Sequence, residues 1–345
     1  MAYSSIVKPT DYFNTKLYSG TGSSQAITGV GFQPDWIWFK CRSQNQNHNL
    51  FDVIRGSNKI IQTSTSNAEA TSTALLTSFD SDGFTVNTDG GVNGSGQTYA
   101  SWNWLASNTT ASNSDGSITS TVSANTTAGF SIVSYTGTGA NATVGHGLGV
   151  APSMYIVKNR DDNDSWGVYH KSLGATKYLR LQGNDAGATS SVWWNDTEPT
   201  SSVFSVGTAV ATNSSTENLI AYCFAEKKGY SKFGSYTGNG NDDGTFVYTG
   251  FKPAWIIIKE SSHSGNAWHI RDIKRSPINV VDDSLYANAN NTETTNNSAL
   301  TTDFLSNGFK LRNTDTNNNA SGRTYIYMAF GQSLVGSNNV PCTAR

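Results

Sequence analysis

The sequence predicts an all-β protein built from three tandem antiparallel β-sandwich repeats of jelly-roll or lectin-like kind. Two observations carry this reading: one stretch is spelled three times, and turn signals recur about every ten residues with no amphipathic helical segment between them. The clearest copy starts at Tyr236 and reads YTGNGNDDGTFVYTGFKPAWIIIKE. It holds a Gly-rich turn, a short strand, a second turn, then Pro253, Trp255 and β-branched residues up to Lys259. The first copy, YSGTGSSQAITGVGFQPDWIWFK, places Gly20, Gly22, Phe32, Pro34, Trp36 and Lys40 in the same order. The second, YTGTGANATVGHGLGVAPSMYIVK, places Gly137, Gly139, Pro152, Met154 and Lys158. The prolines at 34, 152 and 253 are 118 and 101 residues apart, a period too long for a solenoid unit and right for a small domain. Propeller blades run about forty to fifty residues and at least four are normally needed, which excludes that alternative.

In chain order, residues 1–15 read as a lead-in and 16–106 as the first repeat. Within it, Asp35 to Lys40 is the most apolar strand, and Pro34 suits its beginning. Leu50 to Arg55 alternates and stops at Gly56; Trp268 to Arg275 is its counterpart. In both, an Asp precedes an Arg by three residues (Asp52 and Arg55, Asp272 and Arg275), the pattern of a strand-end ion pair or turn cap. The second repeat has His170 and Leu173 there, so no shared chemistry depends on the pair. A single helical turn is expected within Ala68 to Leu76. Phe79 to Val86 and Phe304 to Leu311 read as hairpins, because Asp82-Gly83 and Asn307-Gly308 supply the backbone angles of tight turns. Tyr99 to Leu105 closes the repeat with alternating aromatics, Trp102 and Trp104; Tyr222 and Phe224, then Met328 and Phe330, recur in the same role. Residues 107–129, rich in Ser, Thr and Asn, read as a linker with one strand at Ile118 to Val122. The second repeat spans 130–226, the third 227–331, and 332–345 is a tail in which Pro341 rules out a helix. Trp36, Met154 and Trp255 each sit two residues after the repeated Pro and are expected at one equivalent buried site.

Charged residues make up 14% of the chain, and the net charge is −2, so neither nucleic acid nor an anionic membrane is an expected partner. Aromatics at 11% exclude a disordered chain of the same polarity. Cys41, Cys223 and Cys342 are too few and too scattered for a disulfide framework, and they form no C-x-x-C. The N-terminus has no apolar core of signal-peptide length and no stretch reaches a membrane span, so synthesis in a cytoplasm with reduced thiols is expected.

No metalloprotease, nucleophile-elbow, P-loop or dinucleotide motif is present, and the five histidines do not fall at metal-ligand spacing. Asp161, Asp162 and Asp164 form the best calcium candidate, with Asn241-Asp242-Asp243 next, because hard cations want clustered loop oxygens. No other cofactor is expected. Trp193 and Trp194 form the one aromatic pair in a middle loop and are the candidate glycan-stacking residues. In a strand one of them would point inward and the other outward.

Several whole motifs resemble a family of repeat-containing virion proteins of marine bacteriophages, notably those of cyanobacteria. They are Ile27 to Trp36, Ser78 to Phe84, Phe224 to Gly234 and the terminus Val340 to Arg345. Members are usually labelled tail-fibre or uncharacterised structural proteins. The resemblance implies a virion location after synthesis in the host cytoplasm, other virion proteins as partners, and a homo-oligomer within the particle. It attributes no active site. A non-catalytic tail-fibre or spike adhesion module touching a host-surface glycan is therefore the expectation. A capsid decoration or tail adaptor protein is the alternative, and a surface-glycan depolymerase is third. Partner contacts are expected from the middle loops, 43–50, 160–166 and 260–267, and 63–75, 183–200 and 283–300.

Overall fold

A computed structural model describes residues 6–333, and these residues are all-β and antiparallel. Three large sheets each use the same central arrangement. In the first, the strand order is 13–19, 98–104, 36–41, 49–52, 59–62, 70–71. In the third it is 231–237, 324–331, 253–260, 269–272, 285–286. The second begins with two further strands, Ala111–Asn113 and Ser120–Asn125, before 130–136, 218–224, 154–159, 167–170, 177–180 and 188–189. The segment read as a linker thus carries the strand expected near 118–122, as Ser120–Asn125, and a second one: Val122 pairs with Val133, and the free edge of Phe130–Thr136 supplies the backbone partners. Its Ser and Thr residues suit a half-solvated edge.

Each apolar central strand is covered on both faces, which explains its composition. In Trp36–Cys41 all six residues are buried. Ile37 and Phe39 pack outward against a small sheet formed by 25–28, 83–86 and 76–80. Two equivalent small sheets, 142–145 with 203–206, and 246–248 with 308–311 and 302–305, cover the other two large sheets. The opposite faces of all three large sheets meet in one contiguous core. Trp36, Met154 and Trp255 all lie there, each at most 1% exposed, so their equivalence is as expected and their neighbours are not. Trp36 stacks on Tyr222 of the second sheet at 4.5 Å, and Trp104 meets Trp255 of the third edge-on at 5.7 Å.

The lead-in joins this core, since the first strand begins at Phe13, not Lys16, and Phe13 stacks on Phe330 at 4.9 Å. No helical turn forms within 68–76; Ala70–Thr71 instead pairs with Lys59 and Ile60. Both expected hairpins are present, as 76–80 with 83–86 and 302–305 with 308–311. The tail beyond residue 333, including Pro341 and Cys342, lies outside the described residues. Cys41 and Cys223 are free and buried.

The middle loops hold the three segments together. Arg160 forks onto Glu69 with two bonds of 2.9 Å, and Glu69 N–H donates to Arg160 O at 2.7 Å. Gly187 N–H donates to Ser261 O and Gly265 N–H to Asn184 O, each at 2.9 Å. Glu293 N–H donates to Arg42 O at 2.8 Å while Arg42 pairs with the Glu293 carboxylate at 2.7 Å. The second segment therefore grips the first, the third grips the second, and the first grips the third. The contacts close a ring in which the loops expected to meet partners also meet each other.

At the foot of these clasps sit the three repeated lysines, all fully buried. Lys40 Nζ donates to Gln46 O and to Asn290 O of the third segment, at 2.7 and 3.0 Å. Lys158 donates to Asn159 O and Asp162 O, and Lys259 to Glu260 O. Burial pushes each ammonium down to about 8. An unfolded Lys titrates near its ordinary value of 10.5, so between 8 and 10.5 the unfolded chain binds more protons and stability rises with pH. Thermal unfolding should accordingly move upward by on the order of a few degrees from pH 7.5 to 9.5. Lys158→Met should flatten that slope, and a flat or falling wild-type profile would contradict the assignment.

Candidate binding surface

Trp193 and Trp194 lie on a short helix, Ser191–Trp194, and not on a strand. A helical turn sends neighbouring side chains about 100° apart, so both reach the core of the second two-layer unit. Trp193 stacks on Tyr178 at 4.0 Å and is 7% exposed. Trp194 is fully buried and meets Tyr155 edge-on at 4.9 Å. Neither ring has a free face for a sugar, and the expected glycan pair is a packing pair.

The acidic loop also has a structural role. Asp161 accepts from Asn218 N–H and its side-chain amide at 2.7 and 2.9 Å. Asp162 caps Asn163 N–H at 2.7 Å and Asp164 caps Ser165 N–H at 2.5 Å. The Lys158 ammonium takes the Asp162 carbonyl at 3.0 Å. Among the described residues no group of three or more His, Cys, Asp or Glu side chains is placed to hold a metal ion. Asp243 of the second acidic loop pairs with Lys310 at 2.6 Å. His146 and His170 are buried structural residues, each accepting a backbone N–H two residues on at Nδ1. No helix among the described residues is long and apolar enough to cross a membrane.

What the sequence reading missed is the outer face of the third small sheet. Phe246–Tyr248 is an edge strand whose burial alternates, with Val247 turned into the core and Phe246 and Tyr248 left 43% and 61% exposed. The equivalent outward positions are Ala26 and Thr28 in the first small sheet and Thr143 and Gly145 in the second. Only the third carries two aromatics. Phe246 lies across from Lys310, and Lys310 across from Asp303, so one row crosses all three strands. Tyr248, Gly308 and Leu305 form the next row. Gly308 is required there, since a β-carbon would come 3.0 Å from the Phe246 ring and 2.1 Å from Val247 O. Beside the rings, Arg312 bonds Asp303 at 2.6 Å and lies 3.5 Å from Asp243. The Lys310 hydrogen bond and charge hold the Asp243 carboxyl below its ordinary range. The face thus offers two flat apolar rings within reach of fixed ammonium, guanidinium and carboxylate groups. The signal was available in TFVYTG, where an apolar residue sits between two aromatics on a strand bounded by turns.

The sequence matches a family described as a domain of unknown function, DUF7483, over residues 8–333, and the chain belongs to that family. No curated protein matches it.

Proposed function

We propose that this member of the family is a non-catalytic surface protein of a bacteriophage particle. In this reading it is a tail-fibre or spike adhesion module, built as three tandem jelly-roll-like sandwich repeats around a shared core. It joins other virion proteins, as a homo-oligomer, and meets a host-surface glycan through the outer face of the third repeat. The observation that carries the reading is the pair Phe246 and Tyr248, exposed side by side on a rigid sheet where both other repeats carry small residues. Pyranose rings bury their C–H faces on such aromatics, while hydroxyls take up fixed charged and polar groups at the rim. The buried Trp193 and Trp194 move the site away from the second repeat, and it stays single and not threefold.

The test is binding of the purified chain to host-envelope polysaccharide. Phe246→Ala with Tyr248→Ala should weaken it about tenfold or more while leaving the thermal midpoint nearly unchanged, because both rings are surface groups. Binding that survives the double change would remove this site.

The closed ring of loop clasps favours a second reading, a capsid decoration or tail adaptor protein, because it makes the chain a stiff block. Labelled electron microscopy separates the two: a position on the head, together with no glycan binding, would establish the architectural role.

A further inference from the structure

The inner side of that same third unit holds a charge with no counter-charge in contact. Arg271 stands opposite Ile256 on the central strand, where Phe51 stands opposite Ile37 in the first segment and Tyr169 opposite Tyr155 in the second. Two repeats fill this position with an aromatic ring, and the third fills it with a guanidinium that is fully buried. Its Nη1 donates to Val281 O at 2.8 Å. Nε and Nη2, the two donors on the side-on edge of the fork, have no partner. That edge is the one that takes a bidentate anion.

The carboxylates around it are committed elsewhere. Asp272 and Glu293 both pair with Arg275, at 2.6 and 2.8 Å. Asp303 pairs with Arg312 and Asp315 accepts two bonds from Asn317, while Asp282, whose charge favours the Arg271 guanidinium, makes no ion pair with it. The Tyr236 hydroxyl donates to Asn318 O. Other polar atoms of this unit are also buried without partners: Thr302 Oγ1 and both side-chain polar atoms of Asn318. Burial first, then the Arg271 charge, push the His269 imidazole down to about 3, with the nearby Asn317 side chain opposing the shift, so His269 is neutral and adds no second charge. A guanidinium does not neutralise itself by losing its proton, and an unpaired buried charge is among the costliest features a fold can carry. A surface cavity of about 640 Å³ lined by Ile278, Val280 and Asp282 reaches both neighbours of Val281, the residue that Arg271 holds.

We propose that Arg271 binds a small monovalent anion inside the third unit, a halide or a formate-sized carboxylate held by Nε and Nη2. The anion neutralises the guanidinium that stands where the other two segments carry an aromatic side chain.

Bromide tests this directly. A crystal soaked in bromide should show an anomalous peak within hydrogen-bonding distance of Arg271 Nε and Nη2, and raising bromide should raise the thermal midpoint of the wild type. Arg271→Phe, which copies the first segment, should lose that dependence, and Arg271→Met serves as a second variant if the larger ring does not fit. Ordered water at the fork without anomalous signal would overturn the proposal. So would a peak seen only at molar bromide with no anion-dependent midpoint, which marks binding at crystal concentration only, and so would an equal bromide response in the variants.

Discussion

Trp36→Ala should lower the stability of the whole chain, not of the first segment alone. The indole is 1% exposed and contacts Trp38 and Trp104 of its own sheet, with Tyr222, Phe130 and Phe224 of the second. Truncating a core Trp typically costs about 3–5 kcal/mol, because lost burial and the residual cavity add. Here the cavity opens in a core to which all three sheets contribute, so the deficit cannot be confined to one of them. Calorimetry should show one transition, shifted down by several degrees, and hydrogen exchange should quicken in the Ser231–Thr237 strand as well as in Phe13–Ser19. Trp194→Ala is the contrast. That ring lies in the separate core between the second large sheet and its small partner, so exchange should quicken chiefly in the second segment. Three separate transitions, or an unchanged midpoint for Trp36→Ala, would show that the shared core does not couple the segments.

Periodicity made the strands legible and the composition of their faces only half so. The WIWFKC strand stands out as the most apolar of its repeat, and the repeats place its counterparts twice more. Nothing in a single repeat distinguishes a face that meets its own small sheet from one that meets a neighbouring segment, because Trp36 and Ile37 are both simply apolar. The strand expected at Ile118 to Val122 is present as Ser120–Asn125, whereas Ala111–Asn113 is not legible, because it is polar at a sheet edge and edge strands need few apolar residues. Trp193 and Trp194 mislead because adjacent aromatics suggest a strand's period of two. The helical turn that buries both is only four residues long, too short to leave a periodic signal. The exposed pair Phe246 and Tyr248 was legible in principle, since the period of two does apply there. The expectation that repeated elements are scaffold and variable loops are sites draws attention away from it.

Asp272→Ala should be among the most damaging single substitutions in the molecule. Asp272 and Arg275 pair at 2.6 Å with both side chains fully buried, and Oδ1 also caps the N–H groups of Lys274 and Arg275 at 3.0 Å. Trp102 of the first segment donates its indole N–H to Oδ2 at 3.0 Å, and Glu293 links Arg275 onward to Arg42. The first segment repeats the device: Asp52 pairs with Arg55 at 2.5 Å, Tyr222 of the second segment donates to Asp52 at 2.7 Å, and Glu69 continues to Arg160. At the third corner the Asp is replaced by His170, whose Nε2 meets the Tyr327 carbonyl of the neighbouring closing strand at 3.2 Å, and the position of Trp102 and Tyr222 on that strand is Met328, which has no hydrogen to donate. The acid therefore appears where the adjoining segment offers a donor. Burial opposes the Arg275 charge, and Asp272 with Glu293 outweighs it, so the pKa is raised and the group stays ionised. Removing Asp272 leaves that charge half-compensated, and breaking such a pair from one side costs about 3–5 kcal/mol. Asp272→Asn keeps the shape and the turn cap and should lose less. Replacing both partners, Asp272→Met with Arg275→Leu, should recover much of the loss, since paired apolar replacements of buried ions are often neutral. Thermal midpoints of these three variants decide the matter. A double replacement as unstable as Asp272→Ala would mean that the ions hold the segments together by more than mutual compensation, and a nearly silent Asp272→Ala would mean that Glu293 alone suffices for Arg275.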